Sequence, residues 1–429
     1  MKGNSDIRKM ANMIKSCRKV IGNLSPLDLF LFISLTITGC FFIANWIKDG
    51  GVLKQCVLSA YDEFSDYFMH VVACADRKNL YSLSESFCFP PLAYCMYLLL
   101  WKMNPLSGND ILEWRDFKQS DNALFVFVTY NVIIVILFLY CIICYYNSIK
   151  AKYVLLLPLA IFFSYPVYCT SIQRGNSVML VSLMTAFAWL WMDSDSKIKQ
   201  EIAMVLIAVA AGFKFYPAII GVVYIKDYKK LFRLIIYGLI AVFVPFVFFG
   251  GIDGARNLIN ILLNLSATDV MYRYGTVRGM VETISSQNFK MDVDLAYTIG
   301  GIAENVFLVI SLVSAFYAEK KWQRVLFFSG ILASYVSSSW MYTSVYYMPA
   351  LLMFLKENKQ NIKESIDKAW LILNILCFSL MFSIPFFFIK IFPGQIYEGV
   401  FAVSYILLFV NEIYVFSGII KRKNRKLIE

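Results

Sequence analysis

Apolar residues fill runs of about 20 positions along most of the chain, and polar residues collect in short breaks between them. The runs fall at 26–47, 122–147, 152–170, 177–192, 199–213, 215–226, 231–250, 294–317, 322–338, 341–356, 368–391 and 397–420. An α-helix rises about 1.5 Å per residue, so the first run spans about 33 Å, enough to cross a hydrocarbon layer of roughly 30 Å. The pattern predicts an all-α, polytopic bundle with about 11–13 membrane segments. A further run, 86–102, opens with Pro90-Pro91 and either dips into the membrane or crosses it. Lys214 and Pro217 interrupt 199–226, which reads as one kinked helix or as two short ones meeting at the break.

One segment has a different period. Val57, Tyr61, Phe64, Phe68, Val71 and Ala75 recur at spacings of three and four, which predicts an amphipathic helix over 57–75 lying at the membrane surface. Asp62, Asp66 and His70 share its opposite face, within about 80° of arc. That face reads either as a solvated side of an interfacial helix or as a carboxylate base with a titratable neighbour.

Charge then orients the chain. Six Lys and Arg residues precede the first run and five follow the last, and 26 of the 40 fall on one side when 86–102 does not cross and 199–226 crosses twice. The positive-inside bias places both termini in the cytoplasm. The expected organisation is a basic N-terminus over 1–25, one membrane domain over 26–420 and a basic cytoplasmic tail over 421–429. Outer loops are expected at 48–121 and 251–293. No Ala-x-Ala-like site follows the first run, which reads as a retained helix.

Composition changes the picture only by exclusion. Of 429 residues, 59% are hydrophobic and 16% charged, with a mean hydropathy of +0.63, far from the roughly 25% charged residues of soluble domains. The net charge of +11 is topological, and nucleic acid is not an expected partner because no basic domain stands outside the membrane. A single histidine argues against the usual His/Cys zinc enzymes. Cys141 and Cys144 form the one Cys-x-x-Cys, but inside an apolar run, where helix packing explains them. Cys56, Cys74 and Cys88 share one loop, which leaves one disulfide open.

Several polar groups stand where apolar ones are expected. Arg174, in Gln173-Arg174-Gly175-Asn176, lies between two runs, and a turn there leads into a helix start that favours phosphate. Snorkelling to the interface is the plainer account of it. Lys214 sits at a helix break with the same two readings. Arg273 and Arg278 in the second outer loop are further candidates for phosphate. Trp340, Tyr342, Tyr346 and Tyr347 cluster at an outer helix end, as a sugar platform or as an interfacial belt. Together a carboxylate face and several cations lie on the outer side next to lipid, which suits transfer between a lipid-linked phosphate ester and an acceptor hydroxyl.

In order and spacing these segments resemble glycosyltransferase family 87, of the GT-C superfamily, over most of 26–350. Asp66-Tyr-Phe-Met-His70 followed by Leu80-Tyr81 is similar to the family's Asp-Phe-x-x-Tyr and downstream Tyr. Phe89-Pro90-Pro91-Leu92 resembles its Tyr-Pro-Pro-Leu, Arg174-Gly175-Asn176 its Arg/Gln-x-Asn, and Lys214-Phe-Tyr-Pro217 its Lys-x-x-Pro. The segment from Trp340 to Pro349 resembles a late Trp-x-His-x-Tyr but lacks its histidine, with Tyr342 nearby. Tyr67 and His70 also depart from the pattern.

The resemblance implies transfer of a sugar, often mannose or arabinofuranose, from a polyprenyl-phosphate donor to an envelope glycan or glycolipid. Asp66 maps onto the family's catalytic aspartate, with inversion at the anomeric carbon. Asp62 and His70 are expected beside it. Arg174, Asn176, Lys214, Arg273 and Arg278 are expected at the donor phosphate, and Tyr81, Trp340, Tyr342 and Tyr346 at the sugars. No cofactor is required, no metal ligands are assigned, and a divalent cation is optional. The expected setting is the cytoplasmic membrane of a bacterium. A polysaccharide polymerase and a flippase for lipid-linked sugars remain alternatives.

Overall fold

A computed structural model of the chain describes residues 21–47, 63–104, 113–146, 151–164, 167, 172–267, 276–285, 289–335, 341–365, 367–383 and 398–428. The helices are α1 (Pro26–Ile47), α2 (Ser65–Ala73), α3 (Leu80–Leu83), α4 (Pro91–Lys102), α5 (Trp114–Phe117), α6 (Asp121–Tyr145), α7 (Ala151–Phe162), α8 (Val178–Trp191) and α9 (Lys197–Phe213). They continue as α10 (Tyr228–Phe243), α11 (Gly251–Ala267), α12 (Val277–Thr283), α13 (Val293–Tyr317), α14 (Lys321–Ser334), α15 (Met348–Glu357), α16 (Lys368–Met381) and α17 (Glu398–Ile428). Tight 3-10 runs at Tyr216–Tyr224, Val244–Phe248 and Met341–Tyr347 join or extend them, and no strand occurs among the described residues. The chain is an all-α polytopic membrane protein.

Long and short helices divide the work. Five segments are long and apolar enough to cross: Pro26–Ile47, Asp121–Tyr145, Tyr228–Phe248, Val293–Tyr317 and Ala402–Lys421. None has more than 39% of its most apolar window buried, so their side chains face outward. On α6, Phe125, Val128, Val132 and Ile136 form an exposed stripe at helical spacing, as expected of a surface turned to lipid. The interior is built from shorter helices. Nearly all of α8, α14 and α15 is buried, and α14 packs on α15. Buried amides join three helices there: Gln323 of α14 donates to Asn411 of α17 at 3.1 Å, and Asn411 donates to Asn374 of α16 at 2.7 Å. Such bonds hold helices together where lipid offers no alternative partner.

Local chemistry sets the boundaries. Ser25 caps α1, accepting from Asp28 N at 3.1 Å, and Asp292 caps α13, accepting from Asp294 N and Leu295 N. The interrupted stretch 199–226 is two segments. α9 ends at Phe213, Lys214 is extended (φ −147°, ψ 126°), and the 3-10 run folds back so that Ile207 and Ile225 line one groove. The 86–102 run forms α4, whose 12 residues reach about 18 Å, well short of a bilayer core.

Two stretches carry helix that the pattern did not indicate, and one expected helix needs correction. The stretch 251–293 is not simply a loop: it carries α11 and α12. The basic tail continues α17 as helix to Ile428. The helix expected over 57–75 starts at Ser65, after Phe64 in a left-handed conformation (φ 58°), and ends at Ala73 in a 3-10 turn. Its polar residues Asp66 and His70 are buried, 8% and 2% exposed, because α4 and the segment before α8 cover that face. Residues 57–62 lie outside the described residues.

Candidate active site

Two segments more than 100 residues apart meet at Asp66. The backbone N–H of Phe64 donates to Gln173 O at 2.9 Å, which fixes the start of α2 against the turn before α8. Gly175 makes that turn with φ 69°. A Cβ on it would come within 2.5 Å of Tyr67 Cβ and 2.9 Å of Phe127 Cε2, so glycine serves both the left-handed backbone and the close approach. Asn176, just before α8, accepts from Val178 N at 3.0 Å through Oδ1, and its amide nitrogen faces Asp66.

Three donors converge on one carboxylate. Arg174 Nη2 donates to Asp66 Oδ1 at 2.7 Å, Arg174 Nε to Oδ2 at 3.1 Å, and Asn176 Nδ2 to Oδ2 at 2.7 Å. The guanidinium contact is bidentate, the geometry that best orients a carboxylate. α2 has nine residues, about 13 Å, and lies outside the spanning segments. Burial pushes the Asp66 carboxyl up, but the Arg174 charge and these hydrogen bonds outweigh it and hold the carboxyl below its ordinary value. The group is therefore ionised and fixed in direction at neutral pH.

His70 lies one turn further along α2, with Nδ1 3.2 Å from the Tyr94 hydroxyl and its ring stacked on Tyr97 and against Phe89. Burial pushes its pKa down to about 3, with Lys214 and Arg174 adding to the effect and Asp66 opposing it. At neutral pH it is an uncharged aromatic wall. Lys214, 6% exposed, places Nζ 3.2 Å from the centre of the Phe89 ring. The His70 ring lies 4.4 Å from the same ring, so Phe89 links the ammonium to the Asp66 helix. Tyr81 donates its hydroxyl to Phe89 O at 3.0 Å and fixes that residue from behind.

The expected site residues thus fall into separate groups. Asp66, His70, Arg174, Asn176, Lys214 and Tyr81 come together. Tyr346 is fully buried, with its hydroxyl 3.2 Å from that of Tyr216, two residues after Lys214. Arg278 is held elsewhere: Nε donates to Glu282 at 2.9 Å and the guanidinium lies 3.7 Å from the Tyr297 ring centre. Asp62, Arg273, Trp340 and the side chain of Tyr342 lie outside the described residues. Among the described residues no three His, Cys, Asp or Glu side chains gather as metal ligands.

Phe89 and Phe64 were named in the sequence patterns but not among the expected site residues. The Phe-Pro-Pro-Leu segment was the available signal for Phe89. Phe64 read only as one position of an apolar stripe; in the structure its N–H holds Gln173 O and its ring packs on Phe127.

Two apolar grooves include residues next in sequence to this polar centre. One, of about 490 Å³, runs between α9, the 3-10 run after it and α10, and includes Phe215 beside Lys214. The other, of about 440 Å³, lies against α6 and the end of α7 and includes Phe64 and Gln173.

Comparison with protein families matches residues 117–338 to glycosyltransferase family 87, just over half of the chain. Searches of curated proteins and of solved structures gave no significant match. Arg174, Asn176 and Lys214 lie within the matched residues, and the carboxylate they surround lies before them.

Proposed function

The chain belongs to glycosyltransferase family 87, and from that premise we propose that it moves a sugar from a polyprenyl phosphate to a hydroxyl of an envelope glycan or glycolipid. The reaction takes place at the outer face of the cytoplasmic membrane. The observation that carries this reading is the buried Asp66 carboxylate, held by Arg174 and Asn176 with Lys214 beside it.

The chemistry follows from those groups. The acceptor hydroxyl oxygen attacks the anomeric carbon from the side opposite the phosphate, so the configuration inverts. Its proton passes to an Asp66 carboxylate oxygen, and the electron pair of the breaking C–O bond leaves with the phosphate. Prenyl phosphate is a good leaving group, so the acceptor's proton is the main demand on the protein, worth about 10²–10⁴-fold. Lys214 and Arg174 are the cations that meet the charge growing on the phosphate. His70, uncharged, shapes the wall through Phe89 and Tyr97. The prenyl chain is assigned to the groove whose lining includes Phe215, the residue after Lys214.

The test is a panel of polyprenyl-phosphate sugars incubated with purified protein and candidate acceptors, with products read by mass spectrometry. Wild type is expected to yield a glycosylated acceptor and free prenyl phosphate. Donor moved across vesicles with its sugar linkage intact, and no transfer, would instead identify a carrier.

A further inference from the structure

His70 is the only histidine in the chain, and one bond decides where its ring carries a hydrogen. Tyr97 stacks on the ring, Phe87 and Phe89 pack against it, and the Tyr94 hydroxyl lies 3.2 Å from Nδ1. Tyr94 is fully buried, and among the described residues its hydroxyl has no other partner. A hydrogen on Nδ1 would point at the Tyr94 oxygen and leave the Tyr94 O–H buried without an acceptor, a costly arrangement. With Tyr94 donating to Nδ1, both groups are satisfied and the ring, uncharged at neutral pH, carries its hydrogen on Nε2.

Nε2–H is then a donor that the protein does not use. None of the described residues accepts from it. Nor is it sealed off: the closed-in polar atoms of this region include the hydroxyls of Tyr67, Tyr97 and Tyr130, but not Nε2. A donor left open in a polar centre calls for an acceptor from outside the chain.

The charged neighbours of the ring say which acceptor. They are Asp66, Lys214 and Arg174. The Asp66 oxygens already accept from Arg174 and Asn176. Lys214 Nζ lies over Phe89, the ring that also packs on His70, and among the described residues it has no carboxylate or carbonyl partner. An ammonium and an N–H that share one aromatic ring and lack acceptors fit a single ligand with negative charge and several acceptor oxygens, which is a phosphate. A carbohydrate hydroxyl answers the N–H but not the ammonium.

We infer that His70 presents Nε2–H to a phosphate oxygen of the bound donor, and that Tyr94 is the positioning residue that fixes the tautomer for this contact. The inference rests on the transferase reading and adds a residue to its donor site. A neutral N–H meets the charge growing on the phosphate without placing a third cation beside Lys214 and Arg174.

The single histidine makes the test direct. Protein with isotopically labelled histidine nitrogens gives one Nδ1 signal and one Nε2 signal, read by solid-state NMR in proteoliposomes. In the wild type, Nδ1 should give the signal of a bare ring nitrogen and Nε2 that of a protonated one. Tyr94→Phe should move the averaged Nδ1 signal toward the protonated form. With polyprenyl phosphate bound, Nε2 should show dipolar coupling to phosphorus, and Nδ1 much less.

A kinetic arm uses two amides. His70→Gln places an amide nitrogen where Nε2 stood, and His70→Asn places one where Nδ1 stood. The kcat of His70→Asn should fall below that of His70→Gln by about tenfold or more, the loss of one hydrogen bond to a charged group. The inference is overturned if the wild type carries its hydrogen on Nδ1, if saturating polyprenyl phosphate gives no coupling at Nε2, or if the two amide variants turn over equally. An unchanged ring signal in Tyr94→Phe would overturn the positioning role. Coupling at Nε2 in a protein that transfers sugar from no donor would uphold the contact and overturn the transferase reading.

Discussion

Among the described residues two buried arginine–carboxylate pairs stand out, and they have opposite characters. Arg278 and Glu282 are one turn apart on α12, share one bond at 2.9 Å, and lie against Tyr297 of α13. Gly300 lets them approach: a Cβ there would come within 2.9 Å of Glu282 Cγ. Arg174 and Asp66 are 108 residues apart, share two bonds, and recruit Asn176 as a third donor. The first pair lies within one helix and packs that helix against its neighbour. The second joins two chain segments and leaves an oriented carboxylate with a lysine nearby. A local pair is a packing device. A pair assembled over long range, with its polar neighbours gathered, is where chemistry is placed.

The comparison breaks most directly at the carboxylates. Asp66→Asn keeps the shape and removes the base, so kcat should fall about 10²-fold or more, with membrane insertion and donor binding retained. Glu282→Gln should leave kcat/KM unchanged and lower the thermal midpoint. Equal losses of activity in the two purified variants would erase the distinction drawn between the pairs.

At the arginines the two pairs should separate by kind. Arg278→Ala removes the guanidinium beside a buried carboxylate and should lower stability, read by denaturation in detergent, without changing the pH–rate profile. Arg174→Ala should destabilise too, and it also removes the charge that lowers the Asp66 pKa. That pKa then rises, so activity should be lost at higher pH than in wild type as the medium is acidified. A kcat/KM profile whose acid limb does not move would refute the electrostatic role of Arg174.

A smaller difference is expected at the rings under the cations. Lys214 lies over Phe89 and Arg278 over Tyr297. A desolvated cation–π contact is worth about 2 kcal/mol. Phe89→Leu should therefore raise the donor KM by roughly tenfold or more, whereas Tyr297→Leu should leave it alone. Donor titration of both variants checks this.

The sequence disclosed these regions unequally. The lipid-facing helices were legible, because a run of about 20 apolar residues is too long and too apolar for most soluble cores. The break at Lys214 was legible from a lysine and a proline in an apolar stretch. The face shared by Asp66 and His70 was visible as periodicity, but its burial was not: spacing on one helix carries no information about what α4 and the turn before α8 lay over it. The bond between Arg174 and Asp66 has no local signature at all, and only the family resemblance brought the two motifs into one site. α11 has a helical period, with Leu258, Ile261, Leu262 and Leu265 on one face and Asn257, Asn260 and Asn264 on another, but it is too polar to read as a membrane run and the stretch read as a loop.

The smallest expected effect concerns protons at His70, and it again belongs to one region only. In the unfolded chain His70 takes up a proton near its ordinary pKa of about 6.5, whereas in the folded protein burial holds it neutral down to about pH 3. Between those values the unfolded state binds one more proton. Stability therefore rises with pH across that window and falls as pH is lowered, by at most about 1.4 kcal/mol per pH unit. The thermal midpoint of wild type in detergent should fall between pH 6.5 and pH 4 more steeply than that of His70→Gln, which has no proton to bind there. Parallel slopes for wild type and His70→Gln would mean that His70 titrates in the folded protein, and the uncharged wall beside Asp66 would be a charged one.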